Sequence, residues 1–86
     1  MYVHIGKDCI ISSADIIGIF DISILEKNRN IQEICKELKI DKNIIDVSEN
    51  NQKTLVLIKG KKEAKGYISN ISSSTLAKRA QMENIQ

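Results

Sequence analysis

The chain has 86 residues, which is the size of one small domain (residues 1–86) and leaves no room for a second hydrophobic core. Hydrophobic residues make up 42% and charged residues 28%, as in a globular protein and unlike a disordered one. Length and composition exclude a disulfide scaffold and a two-domain enzyme, and a net charge of +2 excludes a histone-like polycation. Because so small a core is often only marginally stable, self-association is a reasonable way to bury more surface.

The N-terminal residues predict a β-hairpin. Residues 2–5 alternate between polar and apolar side chains, which predicts a half-buried strand with Val3 and Ile5 on its inner face. A turn follows at residues 6–8, and residues 9–11 form a second short strand that closes the hairpin.

The next segment predicts one helical turn and a strand. Ser12 and Asp15 have the spacing of a capping box, which indicates the start of a single helical turn. The apolar run at residues 16–22 then predicts a strand that is buried on both faces. Residues 23–29 have no clear pattern.

The clearest helix signal lies near the middle of the chain. Asn30 is a suitable N-cap and Glu33 is its reciprocal partner three residues later. The apolar residues that follow recur at helical spacing and predict an amphipathic helix over about residues 31–39. They are Ile31, Ile34, Cys35 and Leu38.

The C-terminal half predicts strands and a closing helix. Strands are expected at residues 44–47, 53–59 and 64–70, the last two joined by a turn as an antiparallel hairpin. Serines at 72–74 offer N-caps for a short helix over residues 75–83. The order indicates an α+β fold, with a small, mostly antiparallel sheet carrying the amphipathic helix on one face.

Signals for enzymatic chemistry are nearly absent. His4 is the only histidine and is expected to face solvent from a strand, and its spacing to Cys9 and Cys35 does not match a zinc site. No phosphate-binding glycine motif occurs, and Asp15 with Asp21 is weak support for acid–base catalysis. We therefore expect no enzyme, no metal and no cofactor.

The two cysteines and the N-terminus bear on the compartment. Two cysteines are too few for a disulfide framework, and small buried thiols in a reducing cytosol are the simpler interpretation, although a bridge is also compatible with the sequence. Neither a signal peptide nor an apolar run long enough to cross a bilayer is recognisable. A cytoplasmic location without membrane contact is expected.

Binding signals are stronger than catalytic ones. Lysines cluster on the predicted hairpin turn, where residues 59–65 carry a net charge of +3, and more basic residues lie on the closing helix. Cationic loops on a rigid sheet can neutralise phosphates without reading sequence. On spacing alone, a solvated hairpin tip that resists aggregation is the simpler explanation. Repetition around an oligomer would join such small patches and raise affinity through multivalency.

Three segments carry a family resemblance. Residues 2–6 (YVHIG), 16–21 (IIGIFD) and 71–80 (ISSSTLAKRA) resemble the RemB (YaaB) branch of the RemA/RemB extracellular-matrix regulators of Firmicutes. The resemblance is strongest over residues 1–22 and 66–81, and the middle of the chain supports it only through the position of its helix.

The resemblance implies a function that composition does not. Proteins of the RemA type are DNA-binding activators of biofilm matrix operons. Their fold is similar to the LytTR DNA-binding domain, and their subunits assemble into rings that engage DNA along a basic rim. The chain is then expected to be a non-enzymatic transcription regulator that forms homo-oligomers.

The chain departs from the RemA pattern where that branch has DNA-binding arginines. Asn50 and Asn51, beside Lys53, occupy one of these locations, and Asp15 occupies the other. Arginine can make two parallel hydrogen bonds to one phosphate, whereas lysine contributes only a point charge. The residues we expect to contact DNA are Lys53, Lys59, Lys61, Lys62, Lys78 and Arg79, with Asn50 and Asn51 as further donors. The alternative is a self-assembling interaction module that partners a RemA-type protein and does not touch DNA.

Overall fold

The computed structural model describes residues 1–27 and 43–81, together with residues 33, 36 and 37. These residues form strands and helices, so the predicted α+β class is confirmed. The strands are β1 (Tyr2–Gly6), β2 (Cys9–Ser12), β3 (Ile16–Asp21), β4 (Ile44–Asp46), β5 (Thr54–Ile58) and β6 (Lys65–Ser69). The helices are α1 (Ile22–Lys27) and α2 (Ser73–Gln81), and one 3-10 turn spans Ser13–Asp15.

The strands form two sheets. β1 and β2 pair as an antiparallel hairpin, and the larger sheet has the strand order β3-β5-β6-β4. β5 is antiparallel to both of its neighbours, whereas β4 runs parallel to β6. The predicted mostly antiparallel character is therefore confirmed, with β4 as the exception.

The central strand β5 organises the core. All of its residues are buried, because β5 lies between β3 and β6 and side chains cover both of its faces. Val56 and Ile58 pack into the larger hydrophobic cluster. Leu55 and Leu57 point to the opposite face and pack with half-buried Phe20, Ile22, Ala64 and Ile68.

The β1–β2 hairpin and α2 cover the same face of the sheet. Val3 and Ile5 are buried, as the alternation predicts, while Tyr2 is 75% exposed on the outer face. Leu76 of α2 completes this cluster between the hairpin and the sheet. The Ser69 hydroxyl donates a hydrogen bond to the Ile5 carbonyl at 2.5 Å, which ties the hairpin to β6.

Two details of the N-terminal prediction are wrong. The strand at residues 16–22 exists, but it is not buried on both faces, because β3 is an edge strand and a bulge between Ile16 and Gly18 leaves Ile17 55% exposed. The helical turn after Ser12 also exists. Among the described residues, however, Ser12 makes no capping hydrogen bond with its side chain, and the Ser13 amide donates to the Met1 carbonyl instead.

The predicted helix at the end of the chain is confirmed over the described residues, which reach Gln81. The amphipathic helix predicted over 31–39 lies mostly outside the described residues and stays a prediction. α2 begins at Ser73, and the Ser72 hydroxyl accepts the Thr75 amide at 3.3 Å, so the serine run does supply the N-cap. Among helices of the described residues, none has the length and apolarity to cross a membrane.

Candidate nucleic-acid interface

β5 separates the predicted DNA-binding residues into groups. Lys53 precedes β5 and Lys59 follows it, so about 20 Å lies between them at roughly 3.3 Å per residue. Asn50 and Asn51 belong to the turn between β4 and β5, at the Lys53 end. The structure therefore does not bring these two ends of the predicted site together within one subunit.

Lys78 and Arg79 form a third group in the last turn of α2. Both side chains are exposed. Arg79 Nη1 donates a hydrogen bond to the His4 carbonyl at 3.1 Å, which holds the guanidinium against β1. Part of its hydrogen-bonding capacity thus serves the contact between α2 and the N-terminal hairpin.

The largest cationic group lies around the turn between β5 and β6. Lys59, Lys61, Lys62 and Lys65, here called the hairpin lysines, are all exposed. Gly60 permits this turn to be tight, since a Cβ atom there would lie 2.1 Å from the Glu63 carbonyl oxygen. The hairpin lysines therefore project into solvent from a compact turn that directly follows the central strand β5.

The hairpin lysines line an open groove of about 1130 Å³, here called the hairpin groove. It runs between the outer face of the β1–β2 hairpin and the turn between β5 and β6. Four lysines against two carboxylates leave its lining with a net charge of +2. The lining residues are Tyr2, Ile10, Ile11, Ser12, Asp15, Asn43, Ile58, Lys59, Gly60, Lys61, Lys62, Glu63, Lys65 and Tyr67.

One backbone hydrogen bond joins the two sides of the groove, and further contacts brace each side. The Lys59 amide donates to the Asp15 carbonyl at 2.8 Å, so the turn after β2 is anchored to the end of β5. Tyr2 is paired with Ser12 across the hairpin, which places its ring near the same end. On the other side, Asn43 Nδ2 donates to Glu63 Oε2 at 2.9 Å.

Tyr67 lines the groove, and the Cys9 thiol lies close enough to affect the pKa of Tyr67. Tyr67 is half-buried, and burial, with a smaller contribution from Cys9, raises the pKa of its hydroxyl. Burial likewise raises the pKa of the Cys9 thiol, a free cysteine that packs against the core. Both groups stay protonated near neutral pH, so they add no negative charge under the lysines.

The Lys53 end of the sheet has a different electrostatic character. Hydrogen bonds from the Ser23 hydroxyl and amide lower the pKa of Asp21, which lines a small cavity together with Lys53. Hydrogen bonds from Ser48, and then from Gln52, lower the pKa of Asp46. These carboxylates remain ionised and oppose the charge of Lys53, so the hairpin groove is the more favourable surface for a polyanion.

Sequence reasoning found the lysines but missed the other lining residues. Tyr2, Ile10, Asn43 and Tyr67 belong to separate strands or to loops that precede them. Alternation does place Tyr2 on the outer face of β1, but it does not reveal that this face borders the basic turn. Among the described residues, no group of three or more histidines, cysteines and carboxylates is arranged to hold a metal ion.

Comparison with known sequences identifies the family of this chain. A model of the RemA-like family, described as extracellular matrix regulatory protein A-like, matches residues 2–80. The chain therefore belongs to the RemA-like family. It is 38% identical over 82 residues to extracellular matrix regulatory protein B of Bacillus subtilis (strain 168), a match that covers 94% of this chain and 91% of that protein. The resemblance to the RemB branch is thus confirmed.

Proposed function

We propose that this protein is a non-enzymatic regulator of extracellular-matrix genes that self-associates and binds DNA through its hairpin lysines. Membership of the RemA-like family and the relative named as a regulatory protein support the regulatory role. The observation that carries the DNA contact is the hairpin groove, where four exposed lysines surround one open surface with net positive charge. Such a role requires a cytoplasmic location.

Lysine contacts determine what kind of binding to expect. A lysine ammonium neutralises phosphate as a point charge and does not read bases, so the hairpin lysines supply affinity and little sequence preference. A net charge of +2 in one groove is modest, and several subunits in one assembly would multiply it. Asn50 and Asn51, at the other end of β5, are the better candidates for base contacts.

A salt titration of DNA binding tests the proposal. Fluorescence anisotropy with an AT-rich promoter duplex should give an affinity that falls as salt rises, with a slope of about −0.9 per neutralised phosphate. Replacing Lys61 and Lys62 by glutamine should make that slope shallower by about 1.8 for each engaged subunit. Replacing Lys27 and Lys36, two exposed lysines outside the predicted DNA-binding set, by glutamine removes the same charge and is the matched control. Absence of binding at low salt rejects the DNA contact.

A second candidate function is an interaction module that assembles with a RemA-type protein without contacting DNA. It is favoured by the exposed apolar residues on both edges of the large sheet, Ile17 on β3 and Ile44 and Ile45 on β4. An edge strand also exposes backbone groups that can pair with another chain. Pull-down with a RemA-type protein, followed by sizing, distinguishes this function: co-elution without DNA binding supports it, and a lone monomer with no partner rejects it.

Self-association is common to both functions. Light scattering at micromolar concentration should report a mass several times the 9.7 kDa of one chain. A mass equal to one chain at all concentrations would contradict the assembly and leave each subunit with only its own groove.

A further inference from the structure

We propose that the hairpin groove binds an unpaired nucleic-acid strand, with Tyr2 stacking on a base and the hairpin lysines contacting the phosphates. This inference rests on the proposed nucleic-acid function and specifies its ligand. The observation behind it is that an exposed aromatic ring and four lysines line the same groove.

The ring of Tyr2 distinguishes an unpaired strand from a duplex. It is 75% exposed, and the neighbouring Ile10 is 61% exposed, so a flat apolar surface is available beside the cations. In a duplex the faces of the bases are already stacked on each other, and only their edges and the phosphates are accessible. An unpaired base offers its face, and an aromatic platform within a cationic groove is the usual means of binding single strands.

Backbone contacts fix the strand that carries Tyr2 relative to the turn that carries the lysines. Tyr2 pairs with Ser12 within the hairpin wall, and the hydrogen bond between the Lys59 amide and the Asp15 carbonyl connects that wall to the end of β5. Asn43 holds the Glu63 carboxylate on the far wall. Because these contacts already exist without a ligand, the backbone of both walls needs little reordering when a strand binds, and the ordering cost falls on the exposed side chains.

The shape and charge of the groove favour an extended anionic occupant. The groove is open along one side and does not enclose a small ligand as a typical small-molecule site does. Its net positive lining selects a polyanion over a neutral ligand. The alternative is that the exposed Tyr2 and Ile10 contact an apolar surface of another subunit. Variants at Tyr2 distinguish this subunit contact from binding of a strand.

Variants at Tyr2 test the stacking contact. Anisotropy at low salt, with a labelled oligothymidine strand and a duplex of the same length, should show single-strand affinity lowered about 5- to 150-fold in Tyr2→Leu. Tyr2→Phe keeps the ring and should bind like the unchanged protein. Duplex affinity should be the same in all three proteins. Equal single-strand affinity in Tyr2→Leu, or an equal loss for the duplex, refutes the stacking role.

Intrinsic fluorescence gives an independent readout. The chain has two tyrosines and no tryptophan, so Tyr67→Phe leaves Tyr2 as the only tyrosine emitter. Oligothymidine should quench the emission of that variant, and emission unchanged at saturating oligothymidine would contradict base stacking. Replacing Lys61 and Lys62 by glutamine should make the single-strand salt slope shallower by about 1.4 for each engaged subunit. Replacing Lys27 and Lys36, two exposed lysines that do not line the groove, by glutamine removes the same charge and should leave that slope unchanged.

The outcomes separate this inference from the proposed function. Binding to duplex but not to oligothymidine overturns the inference and leaves the proposed function standing. Binding to oligothymidine but not to duplex supports the inference and overturns the duplex contact. A smaller assembled mass in Tyr2→Leu, together with unchanged single-strand affinity, assigns the groove to another subunit and overturns the inference.

Discussion

Ser69→Ala tests the contact that fixes the N-terminal hairpin on the sheet. The Ser69 side chain is fully buried, and its hydroxyl donates to the Ile5 carbonyl at 2.5 Å and accepts the Ile71 amide at 3.0 Å. The substitution leaves one buried carbonyl and one amide without these partners. An unsatisfied buried group costs about 1–3 kcal/mol, and because Ile71 is only half-buried, water can replace part of the loss. We expect the free energy of unfolding to fall by about 2–4 kcal/mol.

Thermal unfolding followed by circular dichroism measures this effect. For a domain of this size, 1 kcal/mol shifts Tm by roughly 4–8 °C, so Ser69→Ala should lower Tm by roughly 10–30 °C. The subunit concentration must be equal in all samples, because assembly itself stabilises the folded state. Ser23→Ala removes an exposed hydroxyl that donates to Asp21 and is the matched control, with an expected change of about 0.5 kcal/mol or less. Equal stability of the two variants would refute the reasoning.

Three further predictions concern the core, acid stability and thiol reactivity. Leu76→Ala should lower the free energy of unfolding by about 2–5 kcal/mol in guanidinium titrations, because Leu76 is buried between the hairpin and the sheet. Ser48→Ala should raise the pKa of Asp46 in an NMR titration. In the unchanged protein the Asp46 pKa lies below its ordinary value of 3.8, so the ionised Asp46 carboxylate stabilises the fold above pH 3.8, and this contribution is lost as the pH falls through the lowered pKa. The Cys9 thiol should alkylate more slowly than free cysteine at pH 8, measured by peptide mass spectrometry, because burial raises its pKa.

Local patterns in the sequence determined several elements of this fold. Alternation determined which residues of β1 face the core, since successive side chains of a strand point to opposite sides. The apolar run of β5 indicated a strand, and the serines at 72–74 indicated the start of α2. In each case the physical cause lies within a few residues, so the sequence is sufficient to predict the result.

The predicted burial of β3 failed for a reason outside its own sequence. Its apolar run resembles that of β5, but β3 lies at the edge of the sheet and contains a bulge, so Ile17 faces outward. An apolar run indicates that a strand forms but does not state its place in the sheet. The parallel pairing of β4 with β6, which brings Asn43 to Glu63, likewise depends on sheet order.

The composition of the candidate site was decided in the same way. The sequence by itself determined that lysines gather on the turn between β5 and β6, because they are neighbours in the chain. Only the tertiary structure decided that Tyr2 joins them and that Lys53, Asn50 and Asn51 lie at the other end of β5. Contacts between residues far apart in the chain follow from how the hairpin packs on the sheet, and no local period of the sequence encodes that packing.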